Sequence, residues 1–231
     1  MTEHPSEQSL LTDMPSAGKR VLIVTSVEME REAVLRGLDY ASHVDVIIGG
    51  VGIASASART AAALAKTTYD LVVSAGIGGG FAGRAPVGSL VLASELNAAD
   101  LGAETPDGFT RLDDLGFGTT SILADGSLVR RLEHALLVAG ISVAIGPVLT
   151  VSTVTGTAET AREMVRRFPD AAAEAMEGFG VATAAQLYGL PVLEIRGISN
   201  VVGPRDRSAW RIPDALAQLT AASKALVEVL T

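Results

Sequence analysis

The chain has 231 residues, 48% of them hydrophobic, with a formal net charge of −8. That length and apolar fraction exclude a disordered protein and suit one α/β domain with a substantial core. The acidity argues against a nucleic-acid scaffold, although a local pocket can still take a small anionic ligand.

Residues 1–19 are polar and contain Pro and Ser, without the basic and continuous apolar regions of a secretion signal. They read as a disordered tail ahead of a single domain over 20–231. No apolar run is long enough to span a membrane, so a cytoplasmic protein with no membrane partner is expected. Apolar, β-rich runs then alternate with Ala-rich stretches. Strands are predicted at Val21–Thr25, Val44–Ile48, Leu71–Ala75, Ser89–Ser94, Val143–Thr150 and Pro191–Ile198. Helices are predicted at Glu30–Leu38, Ile53–Lys66, Ser127–Ala139, Ala158–Phe168, Glu177–Tyr188 and Pro213–Leu230. Thr157 suits an N-cap and Pro213 a first helical turn. Several strands are apolar almost throughout, as expected when both sheet faces are covered. The pattern predicts an α/β fold, a three-layer αβα sandwich with a central mixed sheet. Gly102–Gly126 lacks clear periodicity, and a loop of that length is often functional. Cysteine is absent, and His4, His43 and His134 are scattered, so no disulfide, metal site or cofactor is expected.

Four segments carry candidate chemistry. After the first strand, Glu28, Glu30 and Glu32 crowd one helix start. They can simply complement the helix dipole, or one can project over the strand edge as a base that activates water. Glu30 is the first choice and Glu32 the reserve. Next, Ser74-Ala75-Gly76-Ile77-Gly78-Gly79-Gly80-Phe81 follows a buried strand. Its glycines allow close backbone approach to a ligand, or a plain tight turn. The run is neither a Walker loop nor a dinucleotide fingerprint, because neither Gly-Lys-Ser/Thr nor the sixth-position glycine follows. Third, Ala175-Met176-Glu177-Gly178 opens a helix of small residues. Glu177 there can cap the helix, or accept hydrogen bonds from the vicinal hydroxyls of a ribose. Last, Glu194-Ile195-Arg196-Gly197-Ile198-Ser199-Asn200 ends an apolar strand on a polar amide. One helix, a turn and a strand separate Glu177 from Asn200, so both can meet at one sheet edge and grip a small polar molecule.

These four segments, in this order, resemble the purine nucleoside phosphorylase/nucleosidase superfamily, specifically its methylthioadenosine/adenosylhomocysteine nucleosidase branch, over nearly everything from Arg20 to Leu230. The resemblance implies a three-layer αβα fold, a homodimer or larger homo-oligomer, and cleavage of the N-ribosidic bond of a nucleoside substrate. By position it implies that Glu30 activates water and that Met176 and Glu177 cradle the ribose. Gly76, Ile77, Gly78 and Gly79 would lie beside base and ribose, and Val154 and Thr155 would line the base pocket. Ala175 and Ser199 complete the implied binding set. An aromatic stacker expected near the base is missing, with Phe179 or Trp210 as substitutes. Asn200 departs from the pattern, because adenine-specific members carry there an aspartate that protonates purine N7.

An N-glycosidase stabilises positive charge on the sugar and negative charge on the departing base. A carboxylic acid at 200 could transfer a proton to N7. An amide can only donate N–H to N7 or O6 and accept from N1–H. That pattern suits a 6-oxopurine, and a mismatched 6-aminopurine would lose about 1–3 kcal/mol. An asparagine here in a short chain is similar to the futalosine hydrolase family, as are the Thr25–Glu32 and Asn200–Asp206 runs. The resemblance implies release of hypoxanthine from futalosine in menaquinone biosynthesis. Arg205, Arg207 or Arg111 would face the carboxylate of the 5′ substituent, or simply be solvated. A phosphorylase would need cations where this chain has glutamates. An adenine-releasing nucleosidase is the nearest alternative, and a non-catalytic nucleoside-binding domain the alternative from another class.

Overall fold

A computed structural model describes residues 19–39 and 41–230. The expected tail, 1–19, lies outside the described residues except for Lys19. Every predicted strand and helix is present, the strands at Val21–Thr25, Val44–Ile48 and Val143–Thr150 with the expected bounds and the other elements with shifted ends. The strands are β1 (Val21–Thr25), β2 (Val44–Ile48), β3 (Leu71–Gly80), β4 (Leu90–Ala98), β5 (Gly102–Thr105), β6 (Gly108–Arg111), β7 (Ser121–Leu123), β8 (Val143–Thr150), β9 (Ala173–Ala175) and β10 (Val192–Val201). The helices are α1 (Glu28–Leu38), α2 (Ile53–Leu64), α3 (Gly126–Val138), α4 (Ala158–Arg167), α5 (Gly178–Leu187) and α6 (Ile212–Leu230).

Eight strands form one mixed sheet in the order β10-β4-β8-β9-β3-β1-β2, with β7 paired to β4. Because β10 also pairs in parallel with β3, five of them (β10, β4, β8, β9 and β3) close into a ring. The strand sequences explain the covered sheet. In β1, Val21 and Ile23 point to one core with α1, α3 and α6, while Leu22 and Val24 point to another with α2 and α5. Successive side chains leave a strand on opposite faces, so a strand buried on both must be apolar throughout. In β3, Leu71, Val73 and Ala75 face the first core and Val72 the second. A third cluster joins α4 to the strand ends through Phe81, Leu149, Met164 and Val202.

Two expectations are corrected. The glycine-rich run is neither turn nor loop, for β3 continues through it to Gly80 between β10 and β9. A strand of glycines persists because its neighbours leave no room for Cβ atoms. At Gly76 a Cβ would lie 2.6 Å from Arg196 Nη1 and 2.7 Å from Glu30 Oε1. Gly102–Gly126 is not a structureless loop either. It contains the β5–β6 hairpin and β7, pinned where Arg111 Nη2 donates to Thr120 Oγ1 at 2.7 Å and Arg167 stacks over Phe109 at 3.9 Å. The periodicity is weak because this hairpin is largely solvated and buries little.

The parallel strands β1, β3 and β10 deliver Ser26, Ile77 and Asn200 to one edge of the sheet. Carboxyl ends of strands in α/β sheets are where ligands bind.

Candidate active site

A cavity of about 250 Å³ opens at that edge. Glu30, Ile77, Gly78, Gly79, Val154, Thr155, Ala175, Met176, Glu177, Ser199 and Asn200 all line it. Gly76 does not, because the space its side chain would fill holds the Arg196 guanidinium and the Glu30 carboxylate.

Glu30 is 2% exposed and sits in the first turn of α1, whose preceding residue Val27 has no side chain able to cap it. Its Oε2 accepts from Ser26 N at 2.9 Å, Ser26 Oγ at 2.7 Å and Val27 N at 3.3 Å. Its Oε1 accepts from Ile77 N at 2.9 Å. One acid therefore closes the helix start and is clamped to β3, with a lone pair on Oε1 left for a water in the cavity. Glu32 is exposed and outside the lining, and Glu28 pairs with Arg31 at 2.9 Å. The geometry thus separates Glu30 from its neighbours.

Glu177 is the N-cap residue of α5, one position before the helix. Its Oε1 accepts from Gly52 N and its Oε2 from Met176 N, both at 3.3 Å. Gly52 has φ +90°, a left-handed conformation that lets the chain turn into α2 and aim this N–H at the carboxylate. Behind Glu177 lies Arg196, 1% exposed. Its Nε donates to Glu194 Oε1 at 2.8 Å, its Nη2 to Ser74 Oγ at 2.9 Å, and its Nη1 lies 3.5 Å from Glu177 Oε2. Burial works against the charge on Arg196, but the fields of Glu194, Glu177 and Glu30 outweigh it and hold the guanidinium above its ordinary pKa. Burial raises the pKa of Glu194, against the pull of Arg196, and its Oε2 has no hydrogen-bond partner among the described residues.

Asn200 is oriented by its neighbours. Ser199 Oγ lies 2.9 Å from Asn200 Oδ1 and 3.2 Å from Gly78 O, while Asn200 Nδ2 donates to Val201 O at 3.1 Å. One amide N–H is left for the cavity. Of the two aromatic candidates, Trp210 lines the cavity. Phe179 is in the core, its N–H donating to Thr150 Oγ1 at 2.9 Å. Of the three arginines considered, Arg205 lines the cavity and stands 5.6 Å from the Trp210 ring. Arg207 stands 5.8 Å from the same ring but outside the lining, and Arg111 is held by Asp113 at 3.0 Å in the hairpin.

Sequence reading missed Glu174, Ser26 and Val51 in the lining. Glu174 is 6% exposed, its Oε1 accepts from Thr155 N at 2.8 Å, and its Oε2 accepts from Thr155 Oγ1. Burial raises its pKa, opposed by the two Thr155 hydrogen bonds. The available signal was a single acid within the alanine run Ala171-Ala172-Ala173-Glu174-Ala175. A lone carboxylate in a buried apolar run needs a partner or a task. Among the described residues, no group of three or more His, Cys, Asp or Glu is arranged to hold a metal ion, and no helix is long and apolar enough to cross a membrane.

A family model described as the phosphorylase superfamily matches residues 19–231. A futalosine hydrolase of Streptomyces coelicolor is 51% identical over 91% of this chain and 96% of its own length. One from Acidothermus cellulolyticus is 46% identical over 89% of each. In the solved structures, a 5′-methylthioadenosine/S-adenosylhomocysteine nucleosidase of Colwellia psychrerythraea in complex with adenine superposes with a TM-score of 0.77 at 21% identity, covering 92% of this chain and 96% of that one. At that identity the likeness bears on the fold.

Proposed function

From the premise that the chain belongs to the phosphorylase superfamily, we propose that it is a nucleosidase that hydrolyses the N-ribosidic bond of futalosine. Its relatives at 51% and 46% identity carry the substrate. One observation carries the reaction type: three glutamates, Glu30, Glu174 and Glu177, line the cavity against one arginine, Arg205. Arg196, the nearest buried cation, is already engaged by Glu194 and Glu177. A phosphate dianion would meet repulsion there, whereas water meets a base.

In this reading Glu177 accepts hydrogen bonds from the ribose hydroxyls, and Met176 packs against the sugar. Asn200 donates to the purine edge, stabilising the negative charge that develops as the bond to the base lengthens. The carboxylates of Glu30 and Glu177 stabilise the positive charge developing on the sugar. Glu30 takes a proton from water as the water oxygen bonds to the anomeric carbon, and the electrons of the broken bond leave with the base. The base anion is protonated from solvent as Glu30 gives its proton back to solvent. Hypoxanthine and dehypoxanthine futalosine are the products, a step of menaquinone biosynthesis in the cytoplasm. Arg205 faces the carboxylate of the 5′ substituent, with Trp210 flanking it. Val51, 55% exposed at the cavity rim, would be covered by a second copy in a homodimer.

The test is to incubate the protein with futalosine, inosine, methylthioadenosine and adenosylhomocysteine, with and without phosphate, and to identify the products. Hypoxanthine from futalosine at equal rates in both buffers is expected. Adenine from the thionucleosides, a phosphate requirement, or no release would each overturn the reading.

A further inference from the structure

Glu174 is a buried carboxylate on the cavity wall with no part in the water attack or in holding the ribose. Its placement is set by the sheet. Gly79 of β3 pairs with Glu174 of β9 on one side and with Asn200 of β10 on the other. The three residues stand abreast and all line the cavity. Residues directly paired across strands project to the same face, so the carboxylate and the carboxamide flank a residue with no side chain. Their backbones are two strand spacings apart, on the order of 9–10 Å. A Cβ on Gly79 would lie 3.1 Å from Asn200 Nδ2, so any larger residue would encroach on this slot.

The hydrogen-bonding capacity of the two walls differs. Asn200 offers a spare N–H. On Glu174 each oxygen accepts one hydrogen bond from Thr155 and keeps a second lone pair, so this wall only accepts. A flat heterocycle in the slot must present acceptors to Asn200 and an N–H to Glu174. We infer that Glu174 is a specificity-determining residue that accepts the N1–H of a 6-oxopurine while Asn200 reads the N7/O6 edge. A 6-aminopurine brings an unprotonated N1, an acceptor facing an acceptor, and is rejected. This rests on the nucleosidase reading and adds to it a group that distinguishes the two purine classes.

Calorimetric binding of hypoxanthine, 1-methylhypoxanthine and adenine to the wild-type protein and to Glu174→Gln tests the assignment. Wild type is expected to bind hypoxanthine about 10–100-fold more tightly than 1-methylhypoxanthine, which lacks the donor. In Glu174→Gln, whose amide can turn an N–H toward adenine N1, the preference for hypoxanthine over adenine should shrink by a similar factor. Equal wild-type affinity for hypoxanthine and its N1-methyl derivative would overturn the inference whether or not the variant folds. An unchanged hypoxanthine-to-adenine ratio in a folded variant would reduce Glu174 to a support for Thr155. If wild type releases hypoxanthine from futalosine yet ignores N1-methylation, this inference alone fails. If no purine is released or bound, the functional reading fails with it.

Discussion

Replacing Arg196 by Met should be among the most damaging single changes available outside the cavity lining. Arg196 is 1% exposed and pairs with Glu194 at 2.8 Å and Glu177 at 3.5 Å. Met keeps most of the volume but removes the charge, stranding the fully enclosed Glu194 and releasing Glu177. Breaking a buried pair by removing one partner costs about 3–5 kcal/mol, a large part of the roughly 5–15 kcal/mol that holds a domain folded. Removing both charges should cost less, because the uncompensated carboxylate goes too. The double variant R196M/E194L should therefore recover at least about 1 kcal/mol relative to the sum of the single variants. Urea unfolding of wild type, R196M, E194L and the double variant, followed by far-ultraviolet circular dichroism at one pH, supplies the cycle. A loss below about 1 kcal/mol in R196M, or strict additivity in the double variant, would refute the idea that this arginine neutralises a buried acid cluster.

Glu30→Gln should abolish hydrolysis while leaving nucleoside binding intact, measured by turnover beside calorimetric titration; unchanged turnover would move the base elsewhere. Asn200→Ala should lower kcat about 10²–10³-fold, the scale for one transition-state donor, and near wild-type turnover would remove Asn200 from the chemistry. Stability should also report on Glu174. Burial raises its folded-state pKa above the unfolded value, so the folded protein holds that proton more tightly. The contribution is complete below the ordinary carboxylate value of about 4.3 and is lost as pH rises through the raised one. Across that window the urea midpoint of wild type should fall relative to that of Glu174→Gln; parallel profiles would contradict it.

The glutamate at 30 was legible because an acid in a first helical turn after a buried strand has few places to point. Its separation from Glu32 was not, since that depends on how α1 rotates against β3. The asparagine at 200 was legible as a polar stop to an apolar strand. Arg196, four residues earlier, faces inward to Glu194 and Glu177, a placement that depends on contacts between segments and not on the strand's own pattern.

Local chemistry written along the chain determined a great deal. Alternating apolar runs specify strands covered on both faces, small residues specify close helix–sheet packing, and polar strand ends specify an edge with chemistry. These depend on near neighbours and on a solvent that drives apolar surface inward. Tertiary structure alone decided the rest. That β3 pairs with β10 on one side and β9 on the other, closing the ring, turns a glycine run from an apparent turn into a strand with no room for side chains. The same closure sets Glu174 opposite Asn200 across Gly79. Strand pairing between segments far apart in sequence is a non-local event, and no periodicity within either segment encodes which partner it will meet.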